Sequence, residues 1–476
     1  MKTFTITTSI AYTNANPHVG FALELIQADV LARSRRQKGD TVFFLTGTDE
    51  HGSKIARAAN LAGKDPQIFV NEISGKFQEL SQALSISNSA FIRTTDREKH
   101  WPGVRKLFIK LQENGDIYKK EYEGLYCAGC EAFVTEKDLQ DGLCPIHKKE
   151  PEMIKEENYF FRLSRYGEEI VRALREGRMR IVPEHRTNEV LNFIEQGLED
   201  ISFSRSKEAL SWGIPVPGDE SQVLYVWGDA LTNYISALDY ENEGEKFKTF
   251  WPADVQCIGK DILRFHAVIW PAMLLSAGVD LPKTIFVHGF LTVDGQKMSK
   301  SIGNVIDPFE LVEKYGVDAV RYFFLREVPP TEDGDFSYQK FEARYNADLA
   351  GGLGNLLSRV LTMAEKQGVK AKGEVKDKET KEKVEQVREA VDIALNDFRF
   401  HDALAVIWEL VTHADRLVDR ERPWEGKEGS STVLADLLLV LKELSDMLGP
   451  FLPQASQEIQ EQLAGKKRKS LFSRIA

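Results

Sequence analysis

The spacing of apolar residues changes several times along the chain. At the start Phe4 and Ile6 alternate with Thr3, Thr5 and Thr7, a period of two that predicts a β-strand. Ser9-Ile10-Ala11-Tyr12-Thr13-Asn14-Ala15-Asn16-Pro17 follows as an irregular loop rich in turn formers. After His18-Val19-Gly20-Phe21, residues Leu25, Ile26, Val30 and Leu31 recur at helical spacing. Thr41-Val42-Phe43-Phe44-Leu45-Thr46 is a continuous apolar run of strand length, closed by Gly47-Thr48-Asp49-Glu50-His51-Gly52. Strand, helix and strand predict a βαβ unit and a parallel sheet. Asp49 then falls at the carboxyl end of a strand, where open α/β sheets bind ligands.

Helical periodicity dominates residues 55–114. Strand signals return at Val223-Leu224-Tyr225-Val226-Trp227, Val255-Gln256-Cys257-Ile258 and Thr284-Ile285-Phe286-Val287. Residues 115–219 differ in character, with helical segments at 168–174 and 189–198, and read as an insertion that splits one sheet domain. From Tyr338 onward the pattern is helical throughout, over 343–366, 379–398, 402–419, 432–448 and 454–463. The charged stretch 370–383 reads as exposed. The expected fold class is α/β: a Rossmann-like parallel-sheet domain split by an insertion, followed by an all-α domain. Its segments are 1–114, 115–219, 220–290, 291–337 and 338–476.

Composition narrows the class. At 476 residues the chain is long enough for two or three domains with real cores. Hydrophobic content of 42% and charged content of 28% describe a globular protein. A net charge of −11 requires any RNA-binding surface to be a local basic patch. Met1-Lys2-Thr3 opens no signal-peptide core and no stretch is long enough to span a membrane, so no membrane partner is expected. Four cysteines in so long a chain point to a reducing cytoplasm rather than a disulfide scaffold. Three of them join a histidine in two knuckles, Cys127-Ala128-Gly129-Cys130 and Cys144-Pro145-Ile146-His147. Three thiolates and one imidazole close a tetrahedral structural zinc site, with no position left for substrate. Cys257 lies in an apolar strand and reads as a small buried residue.

The candidate chemistry sits in two distant stretches. His18 and Gly20 open a helix behind a strand, where free N–H groups and the helix dipole favour a phosphate. Lys297-Met298-Ser299-Lys300-Ser301 lies between Gly295 and Gly303. Lys297 and Lys300 supply point charges suited to a triphosphate, and the glycines let the loop close over it. Together, in order and separation, the two stretches resemble the signature motifs of class I aminoacyl-tRNA synthetases. The first departs from the family, whose motif usually ends in a second histidine; Phe21 stands there.

The surrounding detail resembles the methionyl-tRNA synthetase family over nearly the whole chain. It rests on Tyr12-Thr13-Asn14-Ala15, the 47–52 stretch, the knuckles, and Tyr225-Val226-Trp227. Ile258-Gly259-Lys260-Asp261-Ile262 with His266, Trp270-Pro271-Ala272 and His288-Gly289-Phe290 add to it. The insertion is too short for the editing domain of the leucine, isoleucine and valine enzymes. Ala11 departs from the usual aromatic. The resemblance implies a methionine pocket of Ile10, Tyr12, Trp227, Ala230, Tyr234, Ile262 and His266, with Asp49 on the substrate ammonium. Aromatic walls suit a polarizable thioether. It implies ATP contacts from His18, Glu24, Gly259, Asp261, His288 and Lys300, with Lys297 assisting and magnesium on the pyrophosphate. Arg205 is placed near Asp49 or the phosphates.

The same resemblance makes 291–337 the lysine loop and stem-contact region, and 338–476 the anticodon-binding domain. Asn355 and Arg359, four apart on one helix face, and Trp424 would read the anticodon of tRNA(Met), including the initiator. On pattern alone Trp424 reads as a core residue. The run Lys466-Lys467-Arg468-Lys469 reads as an RNA patch or a solvated run, the second preferred. The implied reaction is ATP-dependent activation of L-methionine and its transfer to tRNA. The rivals are a class I synthetase for another amino acid, a small-molecule nucleotidyltransferase, and a tRNA-binding paralogue without catalysis. A monomer is expected, because the helices over 433–463 each carry one apolar face and no OB-fold-like strands follow them.

Overall fold

The computed structural model describes residues 2–475 apart from 128, 130–131, 135, 147, 299–302 and 467. The chain opens with strands β1 (Thr3–Thr8) and β2 (Ala11–Tyr12), then helix α1 (Val19–Gln37) and strand β3 (Thr41–Asp49). Contacts divide it into two compact units: Met1–Pro17, Gly39–Ser81 and Asn88–His288 form one, and His18–Lys38, Gln82–Ser87 and Gly289–Ala476 the other.

In the first unit α2 (Ser53–Leu61) and α3 (Pro66–Ala83) lead to β4 (Ala90–Arg93) and α4 (Trp101–Glu113). Strands β5 (Ile117–Cys127), β6 (Ala132–Val134) and β7 (Glu152–Phe161) form an antiparallel sheet with β9 (Ile201–Ser202). Between β7 and β9 lie α5 (Gly167–Arg175), β8 (Arg180–Val182) and α6 (Glu184–Glu195). Strands β10 (Ser204–Ser206), β11 (Pro215–Val216) and β12 (Asp219–Leu224) make a small sheet of their own. Then come α7 (Val226–Leu231), α8 (Asn233–Ser236), α9 (Glu245–Phe250), β13 (Val255–Gly259), α10 (Trp270–Ala277) and β14 (Thr284–His288). The central sheet runs β2-β3-β1-β13-β14-β8, with β4 also on β3, and every pair in it is parallel.

The inner strands of this sheet are buried. Strand β3 is buried along most of its length, as a continuous apolar run demands. Strand β1 alternates threonine with apolar residues yet is buried on both faces. Its threonines are compact, and Thr8 Oγ1 bonds Thr46 Oγ1 at 2.8 Å.

Three local expectations are corrected. Val226-Trp227 does not continue a strand: Tyr225 N donates to the Phe203 carbonyl, and the Tyr225 carbonyl then accepts from Asp229 N, starting α7. The preceding Val223-Leu224 lies in the small sheet. Strand β4 interrupts the helical stretch 55–114, and β8, inside 115–219, joins the central sheet. Runs of three or four residues are too short for a periodic signal.

In the second unit β15 (Leu291–Val293) and β16 (Gln296–Lys297) form a hairpin, and β15 also pairs β17 (Gly334–Phe336). Around them lie α11 (Pro308–Tyr315), α12 (Val317–Arg326) and α13 (Tyr338–Arg344). A π-helical stretch, Tyr345–Gly354, leads into α14 (Asn355–Lys366). Helices α15 (Lys378–Asn396), α16 (Phe400–Glu421), α17 (Ser430–Leu448) and α18 (Pro453–Leu463) complete it, close to the helical spans expected from periodicity. One buried ion pair ties this unit internally. Arg321 of α12 meets Asp29 of α1 at 2.8 Å, both side chains wholly buried. Its remaining donors reach the carbonyls of Leu84, Pro450 and Phe451 at 3.2, 2.9 and 2.7 Å. A guanidinium so placed satisfies its buried charge through a carboxylate and three backbone acceptors.

Candidate active site

Because β1, β3, β13 and β14 run in one direction, their carboxyl ends share an edge of the sheet. Ile10 and Tyr12 follow β1, and Tyr12 pairs with Asp49 at the end of β3. Thr13 donates from both N and Oγ1 to the Asp49 carbonyl at 3.0 Å, which fixes the loop to the strand end. Gly259 ends β13 in register with His288, which ends β14. A methyl on Gly259 would stand 2.9 Å from Asp261 Oδ1 and 3.7 Å from His288 Cε1. The glycine therefore keeps backbone open between an acid and an imidazole.

The remaining predicted methionine residues come from α7, α8 and the turn after β13. Trp227 stacks on Phe265 at 3.7 Å between centroids and 9° between planes, and meets His266 edge-on at 6.3 Å. Tyr234 lies edge-on to His266 at 5.7 Å. His266 sits in a π-helical turn, Phe265–Ile269, of a kind common at functional sites. Its Nδ1 faces the Ile262 carbonyl at 3.0 Å and so donates; its Nε2, 2.7 Å from Tyr234 Oη, then accepts. Burial pushes the imidazole pKa down to about 4, against a weaker upward pull from the Ile262 carbonyl. The ring is thus neutral with a fixed tautomer. Ile10, Tyr12, Trp227, Ile262 and Phe265 pack as partly buried residues on the core cluster containing Tyr234. Phe265 was not singled out from sequence; its position beside His266 was the available signal.

In the second unit His18 is the N-cap of α1, and its Nδ1 accepts from Gly20 N at 3.1 Å. A neutral ring so engaged carries its proton on Nε2, a donor suited to a phosphate oxygen. A methyl on Gly20 would lie 2.9 Å from His18 Cε1 and 3.7 Å from Met298 Cε. The two motif stretches therefore approach one another inside this unit. Lys297 is exposed at the end of the β15–β16 hairpin, whose turn places Asp294 and Gly295 at φ 50° and 74°. Gly295 N donates to Asp335 Oδ1 at 2.7 Å. Lys300 lies outside the described residues. Glu24 is buried, 3% exposed, within α1.

Cys127 ends β5 and Cys144 opens a tight turn, with Lys148 N donating to the Cys144 carbonyl at 2.8 Å; both cysteines are buried. Cys130 and His147 lie outside the described residues. Among the described residues no three metal-binding side chains converge. Arg205 is held by Glu156 in a bidentate pair at 2.9 Å and lies over the Tyr126 ring at 4.2 Å.

Asn355 is exposed at the start of α14, directly after the π-helical stretch. Arg359 reaches Asp419 at 2.7 Å and Asp415 at 3.4 Å. Trp424 is 51% exposed, against the core placement its pattern suggested. Arg422 ends α16 in the left-handed region at φ 45°, and Gln367 Nε2 holds the Pro423 carbonyl at 2.7 Å, so the turn presents the indole outward. Arg468 of the basic run pairs with Glu365 at 2.8 Å and bonds the Leu361 carbonyl; it is not merely solvated.

The family model described as "tRNA synthetases class I (M)" matches residues 4–145 and 134–361. The parallel sheet thus belongs to a class I aminoacyl-tRNA synthetase. Curated relatives are narrower. The methionine–tRNA ligase of Caldanaerobacter subterraneus subsp. tengcongensis is 48% identical over 97% of this chain and 74% of its own length. Those of Thermotoga maritima and Thermosynechococcus vestitus are 43% and 44% identical, over 98% and 97% of the chain and 76% and 90% of their own. The Mycobacterium tuberculosis methionyl-tRNA synthetase, solved with methionyl-adenylate, superposes with a TM-score of 0.94 at 38% identity over the full length of both chains. The chain belongs to the methionine–tRNA ligase family.

Proposed function

We infer that the chain activates L-methionine with ATP to methionyl-adenylate and transfers the methionyl group to tRNA(Met). The methionine carboxylate attacks the α-phosphorus and pyrophosphate leaves. The protein positions the reactants and stabilises charge on phosphate oxygens, with no covalent protein intermediate. The observation that carries the substrate assignment is the neutral His266–Tyr234 pair beside Trp227. It offers the thioether aromatic surface and no cation.

Asp49 takes the ammonium, a charge-assisted contact, and Ile10, Tyr12, Trp227, Ala230, Tyr234, Ile262 and His266 take the side chain. Gly259, Asp261 and His288 take the adenosine; His18, Lys297 and Lys300 take the phosphates; Glu24 acts from within α1. Magnesium would enter with ATP and would supply positive charge to its phosphates. Asn355, Arg359 and Trp424 read anticodon bases by edge contacts and stacking. The domain reading follows: 1–114 and 220–290 catalytic, 115–219 the insertion, 291–337 the lysine loop region, 338–476 for the anticodon. Arg205, bound to Glu156, is assigned no substrate contact.

Cys127, Cys130, Cys144 and His147 fit one structural zinc. Cys127 and Cys144 are buried, as ligands of a closed site are. Metal analysis should find about one equivalent per chain, and less than about a tenth would contradict the site. No helix among the described residues is long and apolar enough to cross a membrane, and we place the enzyme in the cytoplasm, acting as a monomer. The deciding experiment is amino-acid-dependent pyrophosphate exchange. Methionine should support exchange far above the other amino acids, and a different preferred amino acid would overturn the assignment.

A further inference from the structure

Behind the predicted methionine residues lies a polar chain the reaction does not use. Asp229, on α7 between Trp227 and Ala230, is 1% exposed. Its Oδ2 lies 2.7 Å from His51 Nδ1 and its Oδ1 2.7 Å from His100 Nε2. His100 Nδ1 lies 2.8 Å from Ser236 Oγ on α8. His51 is 3% exposed and His100 wholly buried. Burial pushes the Asp229 carboxyl up, but the His51 and His100 imidazoles outweigh it and hold the group below its ordinary value. The carboxylate is therefore charged, and each oxygen accepts from one ring N–H.

The connections of this chain are specific. His51 follows Asp49 by two residues, and its N–H points at Asp49 Oδ1 at 3.5 Å. Its ring is boxed by Trp101 and Trp212 at 6.2 and 5.5 Å. Trp212 Nε1 donates to the Glu50 carbonyl at 2.6 Å. Ser236 follows Tyr234 by two residues. His100 caps α4, which approaches α8 so closely that a methyl on Gly103 would stand 2.8 Å from Ser236 Cβ. Asp49, Trp227, Ala230 and Tyr234 thus each lie within two residues of a member of the chain. Buried ion pairs seldom stabilise a fold more than apolar residues of the same volume would. What a charged tether adds is geometry, because its two bonds admit one arrangement of the segments they join.

We propose that His51, Asp229 and His100 are positioning residues for methionine recognition, setting the Asp49 carboxylate and the Trp227–Tyr234 wall relative to one another. The proposal rests on the methionine-pocket assignment above.

Asparagine places its amide N–H near the position of histidine Nδ1, and glutamine near Nε2. The chain therefore predicts a crossed result in pyrophosphate exchange. His51→Asn and His100→Gln should stay within about threefold of the wild-type methionine KM. His51→Gln and His100→Asn should raise it about tenfold or more, the effect of losing a hydrogen bond to a charged group. The ATP KM should stay within about twofold throughout. Variants that do not differ within each pair, or that shift both KM values together, would overturn the proposal. So would failure of both members of a pair to fold, since that assigns the residue to the fold and not to methionine. Asp49→Asn separates the two levels. If it raises the methionine KM while the four variants do not, only the positioning role falls; if it leaves the KM unchanged, the pocket assignment falls and takes this proposal with it.

Discussion

The residues assigned to methionine and those assigned to the anticodon are held in opposite ways. Ala230, Tyr234, His266 and Asp49 are all less than a tenth exposed, and the polar atoms of Tyr234 and His266 are spent on fixed partners. Asn355 and Trp424 stand in solvent, and Arg359 rests on aspartates that are themselves partly exposed. A small ligand gains from a site ordered in advance, because little entropy remains to be lost on binding. Unpaired bases must be splayed out and stacked, so the surface that reads them has to be reachable before they arrive. The first set of residues is drawn from a core and its partly buried margin, the second from a helix and a turn.

That contrast can be broken in several places. Lys300→Ala should slow adenylate formation about a hundredfold or more, the scale of a lost transition-state contact, with methionine affinity unchanged. Rapid-quench adenylation at wild-type speed would remove the lysine from catalysis, and a changed methionine affinity would show that the lysine loop shares the pocket's task. Trp424→Ala should lower kcat/KM for tRNA about tenfold to a hundredfold, the worth of one stacked base, while pyrophosphate exchange stays as in wild type. Loss of exchange in that variant would mean that the two sites are not separable.

The smallest effect concerns pH. His266 titrates near 4 in the fold and near 6.5 when unfolded. Between those values the unfolded chain binds the extra proton. The stability from this group is therefore complete above pH 6.5 and falls toward pH 4, by at most about tenfold in the folding equilibrium per pH unit. Denaturation midpoints should fall more steeply over this range in wild type than in His266→Asn, and parallel curves would contradict a buried neutral ring.

Much of the architecture was legible because it is periodic. Helices α15 to α18 bury one face each, and their apolar spacing marks them within a few residues. Strands β1, β3, β13 and β14 carry apolar runs or alternation long enough to register. The start of α7 misled, because Val226 and Trp227 are as apolar as a strand and the helix is set by a backbone bond from Asp229. The site split in the same way. His18, Asp49 and Lys297 stand in recognisable local strings. His51, His100 and Asp229 are ordinary polar residues in three separate segments, and only the fold brings them to 2.7 Å. Trp424 shows the converse: its exposure depends on the left-handed Arg422, which no hydrophobic pattern records.

The Arg321 cluster sets a timetable for synthesis. Asp29 leaves the ribosome early, yet the carbonyls of Pro450 and Phe451 that complete its partner's bonds are made long after it. At about 5 to 20 residues per second the first helix waits roughly 20 to 80 s for them. Arrested chains that end before Pro450 should therefore leave α1 open to protease. Protection of α1 in such chains would mean that the helix is secured by other contacts first.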